Sequence, residues 1–310
     1  MTKKTKIISI IGPSASGKSA LAVEIAKEFN GEIISCDSRI IYKDFDIATA
    51  KPTEEEMQGI KHHFVGNITP TDDFSAADFA DEAKKIIKDI VKRGKLPIVA
   101  GGTGLYFRIL LEDFDIPRVA PNEKYRAELE QKSTDELYSL LQEKDPELAE
   151  KIHKNNKVKI IRALEVCEEL NTPMSKAQKK KEPEFDVLWI GLNADNRDYL
   201  YNRINKRVDI MLEQGLLEEA KSIIEKYKDL PVIEQTIGYQ EFKPYFNGDI
   251  TLEEAISDIK QNTRRYAKRQ LTWFRANKSV NWLYIDKLSC EELIKNAKNL
   301  VKNFIQTENY

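Results

Sequence analysis

A chain of 310 residues with 32% charged and 41% hydrophobic residues and a formal net charge of −2 reads as a water-exposed globular protein of one large domain or two. Nothing approaches the roughly 18 consecutive apolar residues of a membrane span, and the apolar run after the basic start Met1–Lys6 is too short for a signal peptide, so the cytosol is expected. Three scattered cysteines, Cys36, Cys167 and Cys290, exclude a disulfide framework or a zinc site of Cys pairs. The histidines, His62 and His63 adjacent in a loop and His153 far away, leave little material for a histidine triad.

The first expected strand is Ile7–Ile11. It leads into Gly12-Pro13-Ser14-Ala15-Ser16-Gly17-Lys18-Ser19, a full match to G-x-x-x-x-G-K-[ST], and then into a helix over Ser19–Phe29 with Leu21, Ile25, Ala26 and Phe29 at helical spacing. In that context the glycines let the backbone wrap close, so its N–H groups and the helix N-terminus face an anion. Lys18 would reach the outer phosphate and the Ser19 hydroxyl would take a place on a magnesium ion; the plain alternative is a Gly/Ser-rich turn. The loop alone does not name its phosphate. The candidate strand Leu96–Ala100 ends in Gly101-Gly102-Thr103-Gly104, without the metal-binding Asp usual in nucleotide hydrolases and kinases. That leaves room for the diphosphate of something other than a nucleotide.

Further strands are expected at Glu32–Ser35, Val187–Leu192 and Val280–Ile285, with a helix over Ala76–Arg93. The alternation predicts an α/β fold, a phosphate-loop parallel sheet flanked by helices on both faces. Between about Ala120 and Glu184 the pattern turns helical, with Asn122–Gln131, Thr134–Glu143 and one helix from Glu147 to about Leu170. This predicts an all-helical insertion at 120–184 between core segments 1–119 and 185–310. A long helix is expected over Thr251–Ala276, with Thr251 as cap, and the tail after Lys302 is expected to fray.

Charge is unevenly spread. No acid lies between Asp258 and Asp286, where Arg264, Arg265, Lys268, Arg269, Arg275 and Lys278 fall. None lies between Glu150 and Glu165, where Lys151, Lys154, Lys157, Lys159 and Arg162 fall. Lys176, Lys179, Lys180 and Lys181 form a third cluster. Such clusters in a balanced chain are either solvated faces or footprints for a polyanion.

Several motifs stand in one order: the phosphate loop, Asp37-Ser38-Arg39-Ile40-Ile41-Tyr42, Thr49-Ala50-Lys51-Pro52, Gly101-Gly102-Thr103-Gly104-Leu105-Tyr106, Arg162-Ala163-Leu164-Glu165-Val166, Ile237-Gly238-Tyr239 and Lys268-Arg269-Gln270-Leu271-Thr272-Trp273-Phe274-Arg275. With these the chain resembles the tRNA dimethylallyltransferase (tRNA isopentenyltransferase) family over nearly its whole length. It has no Cys/His set for the zinc finger of eukaryotic relatives, so it is similar to the bacterial form.

The resemblance implies transfer of a dimethylallyl group from dimethylallyl diphosphate to N6 of the adenine 3′-adjacent to the tRNA anticodon. It implies Mg2+ as cofactor, and the chain is expected to act as a monomer. Gly12 to Ser19 and Arg207 would hold the diphosphate, with Ser19 on the metal. Asp37 would be the general base; its position at the second strand's end is equally that of a turn cap or a metal ligand, and the resemblance favours the base. Thr103 would contact the reacting groups. Ser38, Arg39 and Ile40 would sit beside the target nucleotide, and Val158, Lys159, Ile160, Ile161 and Arg162 would touch the anticodon stem-loop. Arg264, Arg265, Lys268 and Arg269 would meet tRNA phosphates. Two departures stand out: Ile40 replaces a frequent Gln, and Lys159 replaces an Arg, keeping the charge without the planar fork. A sister class that prenylates free adenosine phosphates, an ATP-dependent small-molecule kinase and a non-catalytic phosphate-loop RNA-binding module are the alternatives.

Overall fold

The computed structural model describes residues 4–112, 114–177, 179–180, 182–228 and 230–307. They form two compact units, one from residues 1–107 and 184–310 and the other Arg108–Pro183. The strands are β1 (Thr5–Ile11), β2 (Gly31–Cys36), β3 (His62–His63), β4 (Leu96–Gly101), β5 (Phe114–Asp115), β6 (Lys179–Lys180), β7 (Phe185–Asn193) and β8 (Val280–Tyr284). The helices are α1 (Lys18–Glu28), α2 (Glu54–Met57), α3 (Ala76–Lys92), α4 (Gly104–Leu111), α5 (Glu123–Glu130), α6 (Thr134–Lys144), α7 (Pro146–Lys151), α8 (Lys157–Leu170), α9 (Met174–Ala177), α10 (Arg197–Glu213), α11 (Leu216–Lys226), α12 (Pro231–Glu234), α13 (Phe242–Phe246), α14 (Leu252–Phe274) and α15 (Cys290–Gln306).

The first unit is built on a six-stranded sheet of order β3-β2-β4-β1-β7-β8, with every pairing parallel. Its centre follows from the sequence: Ile7, Ile8, Ile10 and Ile11 are fully buried, as a strand covered on both faces requires. Leu21, Ile25 and Ala26 of α1 pack into the same core as Leu293, Ala297 and Val301 of α15, which recur every four residues on one face of that helix. Capping boxes start α3 at Ser75/Asp78, α14 at Thr251/Glu254 and α15 at Ser289/Glu292. No helix among the described residues is long and apolar enough to cross a membrane.

The second unit packs α5 to α8 around Leu129, Leu137, Leu141, Ile160 and Leu164. It is helical apart from a two-residue antiparallel ladder between β5 and β6.

Three expectations are corrected. His62 and His63 are not in a loop: they pair in parallel with Ile33 and Ile34 at the sheet edge. His63 Nε2 lies 2.9 Å from the carboxylate of buried Glu32. Arg93, then Lys95 and His63, hold that carboxyl well below the usual carboxylate range. The single helix expected from Glu147 to Leu170 is two, because Ile152 turns extended and the Asn156 side chain starts a new helix by accepting from the Lys159 N–H. The tail stays helical to Gln306, where the Lys6 ammonium donates to carbonyls of the last turn, at 2.7 Å to Phe304.

One close approach fixes how β2 and β4 end. A Cβ on Gly101 would lie 2.1 Å from the Cys36 carbonyl oxygen, which is backbone of the adjacent strand and has nowhere to go. Gly101→Ala is therefore expected to lower the denaturation midpoint by the equivalent of about 1–3 kcal/mol. An unchanged midpoint in urea unfolding would contradict this packing.

Candidate active site

The phosphate loop follows β1, Asp37 follows β2, and Thr103 lies two residues beyond β4. Because β2, β4 and β1 are neighbours, parallel pairing delivers all three segments to the carboxyl edge of the sheet, where ligands of such folds bind. There the loop, Asp37 and, from β4, Ala100 and Gly101 border a cavity of about 670 Å³ lined by residues of the first unit alone.

At the loop, Gly17 takes a left-handed φ of +94° and opens α1. Lys18 Nζ donates to the Pro13 carbonyl at 3.1 Å, which folds the side chain back over the loop. Desolvation, with the Arg207 charge beside it, pulls the Lys18 pKa down from 10.5 to about 8, against an opposing pull from Asp37. Arg207, half-buried on α10, is also lowered from its ordinary value by desolvation. Two cations lining one cavity at the N-terminus of α1 make a site for a multiply charged anion. One turn before Arg207, Arg203 Nε donates to the Ala15 carbonyl at 2.8 Å and buttresses the loop from outside.

The Asp37 carboxylate lines the same cavity. Its Oδ1 accepts from the backbone N–H of Arg39 at 2.9 Å and of Ile40 at 3.4 Å, and no described group of the protein donates to Oδ2. Thr103 ties the two strand ends together: its N–H donates to the Cys36 carbonyl, and its hydroxyl accepts from the Ser38 N–H at 3.0 Å. Tyr266 and Gln270 of α14 supply another wall. Burial, then the Asp37 charge, push the Tyr266 hydroxyl up to about 12, so it stays protonated near neutrality. The guanidinium of Arg39 reaches Gln235 at 3.2 Å. Toward the apolar side, Ala48, Thr49 and Ala50 line the cavity, and their segment is held by one carboxylate. Glu219 accepts from the N–H groups of Asp46, Ile47 and Ala48, at 2.7 Å for Ile47, and from the Tyr239 hydroxyl at 2.8 Å.

The expected site residues thus divide by place. Ser14, Ala15, Lys18, Ser19, Asp37 to Ile40, Arg207 and Arg269 line the cavity, with Arg269 also 5.6 Å from the Tyr266 ring centroid, while Gly12, Pro13, Ser16, Gly17 and Thr103 stand in the same strand-end segments without lining it. Arg264 turns to Asn205 of α10 and Arg265 to Asn262 of its own helix, so the basic residues of α14 do not form one face; Lys268 is exposed.

In the second unit, Val158 is 80% exposed and Lys159 is also exposed, at the start of α8. Ile160 and Ile161 are buried in that unit's core, so their side chains are not available to a partner, a correction to their expected role. The Arg162 guanidinium is bound to buried Glu165 and to the Val119 carbonyl. Lys181 and the side chains of Lys179 and Lys180 lie outside the described residues.

Sequence reasoning missed Arg203, Gln235 and the side chain of Gln270. A signal existed for two of them: Arg203 stands one helical turn from Arg207, and Gln270 sits inside the Lys268–Arg275 motif.

Comparison with known proteins identifies the family. The family model described as IPP transferase matches residues 40–277. A tRNA dimethylallyltransferase of Caldanaerobacter subterraneus is 47% identical over 301 residues, covering 94% of this chain and 96% of that protein. A crystal structure of the full-length tRNA isopentenylpyrophosphate transferase of Bacillus halodurans superposes with a TM-score of 0.73 at 41% identity, covering 97% of this chain and 96% of that one. A eukaryotic dimethylallyltransferase captured acting on tRNA gives a TM-score of 0.85 at 31% identity, covering 98% of this chain and 80% of that one. The chain belongs to the IPP transferase family, among the bacterial tRNA dimethylallyltransferases.

Proposed function

We propose that this chain transfers the dimethylallyl group of dimethylallyl diphosphate to N6 of the adenine 3′-adjacent to the anticodon in tRNA, releasing diphosphate. One observation carries the chemistry beyond family membership: an anion loop and an acid line one cavity at the ends of β1 and β2, with the Thr103 hydroxyl beyond β4 bonded to the Ser38 N–H beside them.

Lys18, Arg207 and the loop N–H groups bind the diphosphate and take up the charge that grows on it as the C1–O bond breaks. Adenine N6 attacks C1 through a lone pair delocalised into the ring, so the new N–C bond forms only as a proton leaves. Asp37 receives that proton. Thr103 holds the Ser38 N–H and fixes the Asp37 strand end against β4.

Magnesium fits the donors present. It keeps several waters and takes one or two protein oxygens beside phosphate oxygens. Ser19 and Asp37 both line the cavity, whereas no group of three or more His, Cys, Asp or Glu residues among the described residues could hold a metal by itself. Bound there through Ser19, the ion would neutralise charge on the leaving diphosphate.

The target adenine must swing out of its stack to enter the cavity, at a cost of a few kcal/mol that is smaller in a loop than in a duplex. Ser38, Arg39 and Ile40 stand beside its entry. Val158 and Lys159 on α8, with Arg264, Arg265, Lys268 and Arg269 on α14, are the proposed tRNA contacts, and the protein is taken to work as a monomer in the cytosol.

Radiolabelled dimethylallyl diphosphate, magnesium and unmodified tRNA test the proposal, with adenosine monophosphate as a competing acceptor. Label in tRNA is the expected result. Label in adenosine monophosphate alone would place the chain with the prenyltransferases of free adenosine phosphates, and ATP turnover would point to a kinase.

A further inference from the structure

The Gln270 side chain joins two loops that arise from different strands. It is 5% exposed. Its Oε1 accepts from the Ser14 N–H at 2.9 Å and the Ser14 hydroxyl at 3.5 Å, while Nε2 donates to the Gly102 carbonyl at 3.0 Å. A backbone N–H can only donate and a carbonyl can only accept, so both ends fix the orientation of the amide. Space is equally restrictive: a Cβ on Gly102 would lie 2.0 Å from Nε2. Ser14 belongs to the diphosphate loop and Gly102 immediately precedes Thr103. One turn earlier on α14, Tyr266 lines the same cavity wall as Gln270.

Each loop keeps its own internal closure without this amide, the first through Lys18 and Pro13, the second through Thr103 and Ser38. What Gln270 adds is the distance between them. In an alkyl transfer the leaving oxygen, C1 and the attacking nitrogen must lie in line, and a small error in separation costs rate rather than donor affinity. We propose that Gln270 is a positioning residue for the transfer, its amide holding the diphosphate loop and the Gly102–Thr103 turn at the separation that aligns donor with acceptor. This rests on the functional reading above.

The test measures kcat and donor KM of the full-length wild type, Gln270→Met and Gln270→Glu with tRNA. Methionine keeps the length and loses all three hydrogen bonds. Its kcat is expected to fall about 10- to 100-fold, with donor KM within about threefold of wild type. An ionised glutamate would face the Gly102 carbonyl oxygen, whereas the protonated acid can donate to it as the amide does. Relative to wild type, kcat of Gln270→Glu is therefore expected to rise as the pH falls from about 8 to about 6. This arm decides the matter if the methionine variant does not fold.

Wild-type kcat in Gln270→Met, a loss confined to donor KM, or a Gln270→Glu profile parallel to wild type would each overturn the inference. Absence of transfer to tRNA by the wild type would overturn the functional reading, and this inference with it.

Discussion

Asp37→Asn is expected to lower kcat for transfer to tRNA by about 10²- to 10⁴-fold, the usual contribution of a positioned general base. The substitution separates the two roles that the position allows. The amide oxygen of the substituted side chain can still accept from the Arg39 and Ile40 N–H groups, so the turn after β2 keeps its cap. The amide cannot receive the N6 proton. Donor KM and the melting temperature are expected to stay near wild type. A variant with near-wild-type kcat would reduce Asp37 to the cap of a turn. The same change carries a second sign: the Asp37 charge supports protonation of Lys18, so its removal should move the Lys18 titration below about 8.

Lys18→Met is expected to cut kcat/KM for the donor by about 10²- to 10³-fold, the cost of removing one preorganised donor from developing negative charge. In the free protein Lys18 titrates near 8 rather than 10.5. Below that pH it is an ammonium that attracts the diphosphate, and above it the charge is lost. Wild-type kcat/KM for the donor should therefore fall as pH rises through about 8. In the donor complex the diphosphate restores the proton, so kcat should stay flat across the same interval.

Stability runs the other way. The unfolded chain binds this proton more readily than the folded one, so between about 8 and 10.5 the contribution of Lys18 to stability rises with pH. With the buried cation gone, the ligand-free Lys18→Met protein is expected to melt no lower than wild type at pH 7. A lower melting temperature, or a kcat/KM profile flat from pH 7 to 9.5, would contradict the desolvated lysine.

The parallel sheet was legible because its strands are buried on both faces: an unbroken run such as Ile7–Ile11 followed by a phosphate-loop motif has few other readings. The positions of Asp37 and Thr103 at strand ends were legible for a related reason, since Asp37 directly follows β2 and Thr103 lies two residues beyond β4. The edge strand at His62–His63 was not, because two residues show no alternation and their strand partners, Ile33 and Ile34, are distant in sequence. The split between α7 and α8 hid in a sequence that keeps helical spacing across it, where the Asn156 cap alone gave a local sign. The fates of Arg162 and Ile160 were hidden for the same reason as each other: charge and apolarity mark a residue type, but whether it faces Glu165, a core or solvent is decided by the packed helices. Gln270 lay in a motif quoted for its basic neighbours, and a neutral amide shows its use only when both of its partners are in place.

The most direct test of the central claim is to digest tRNA after incubation with the protein and dimethylallyl diphosphate, and to locate the added group by mass spectrometry. The expected result is a single N6-dimethylallyl adenine immediately 3′ to the anticodon, absent when the donor is omitted. Unmodified tRNA, or a group carried on another base or another atom, would contradict it.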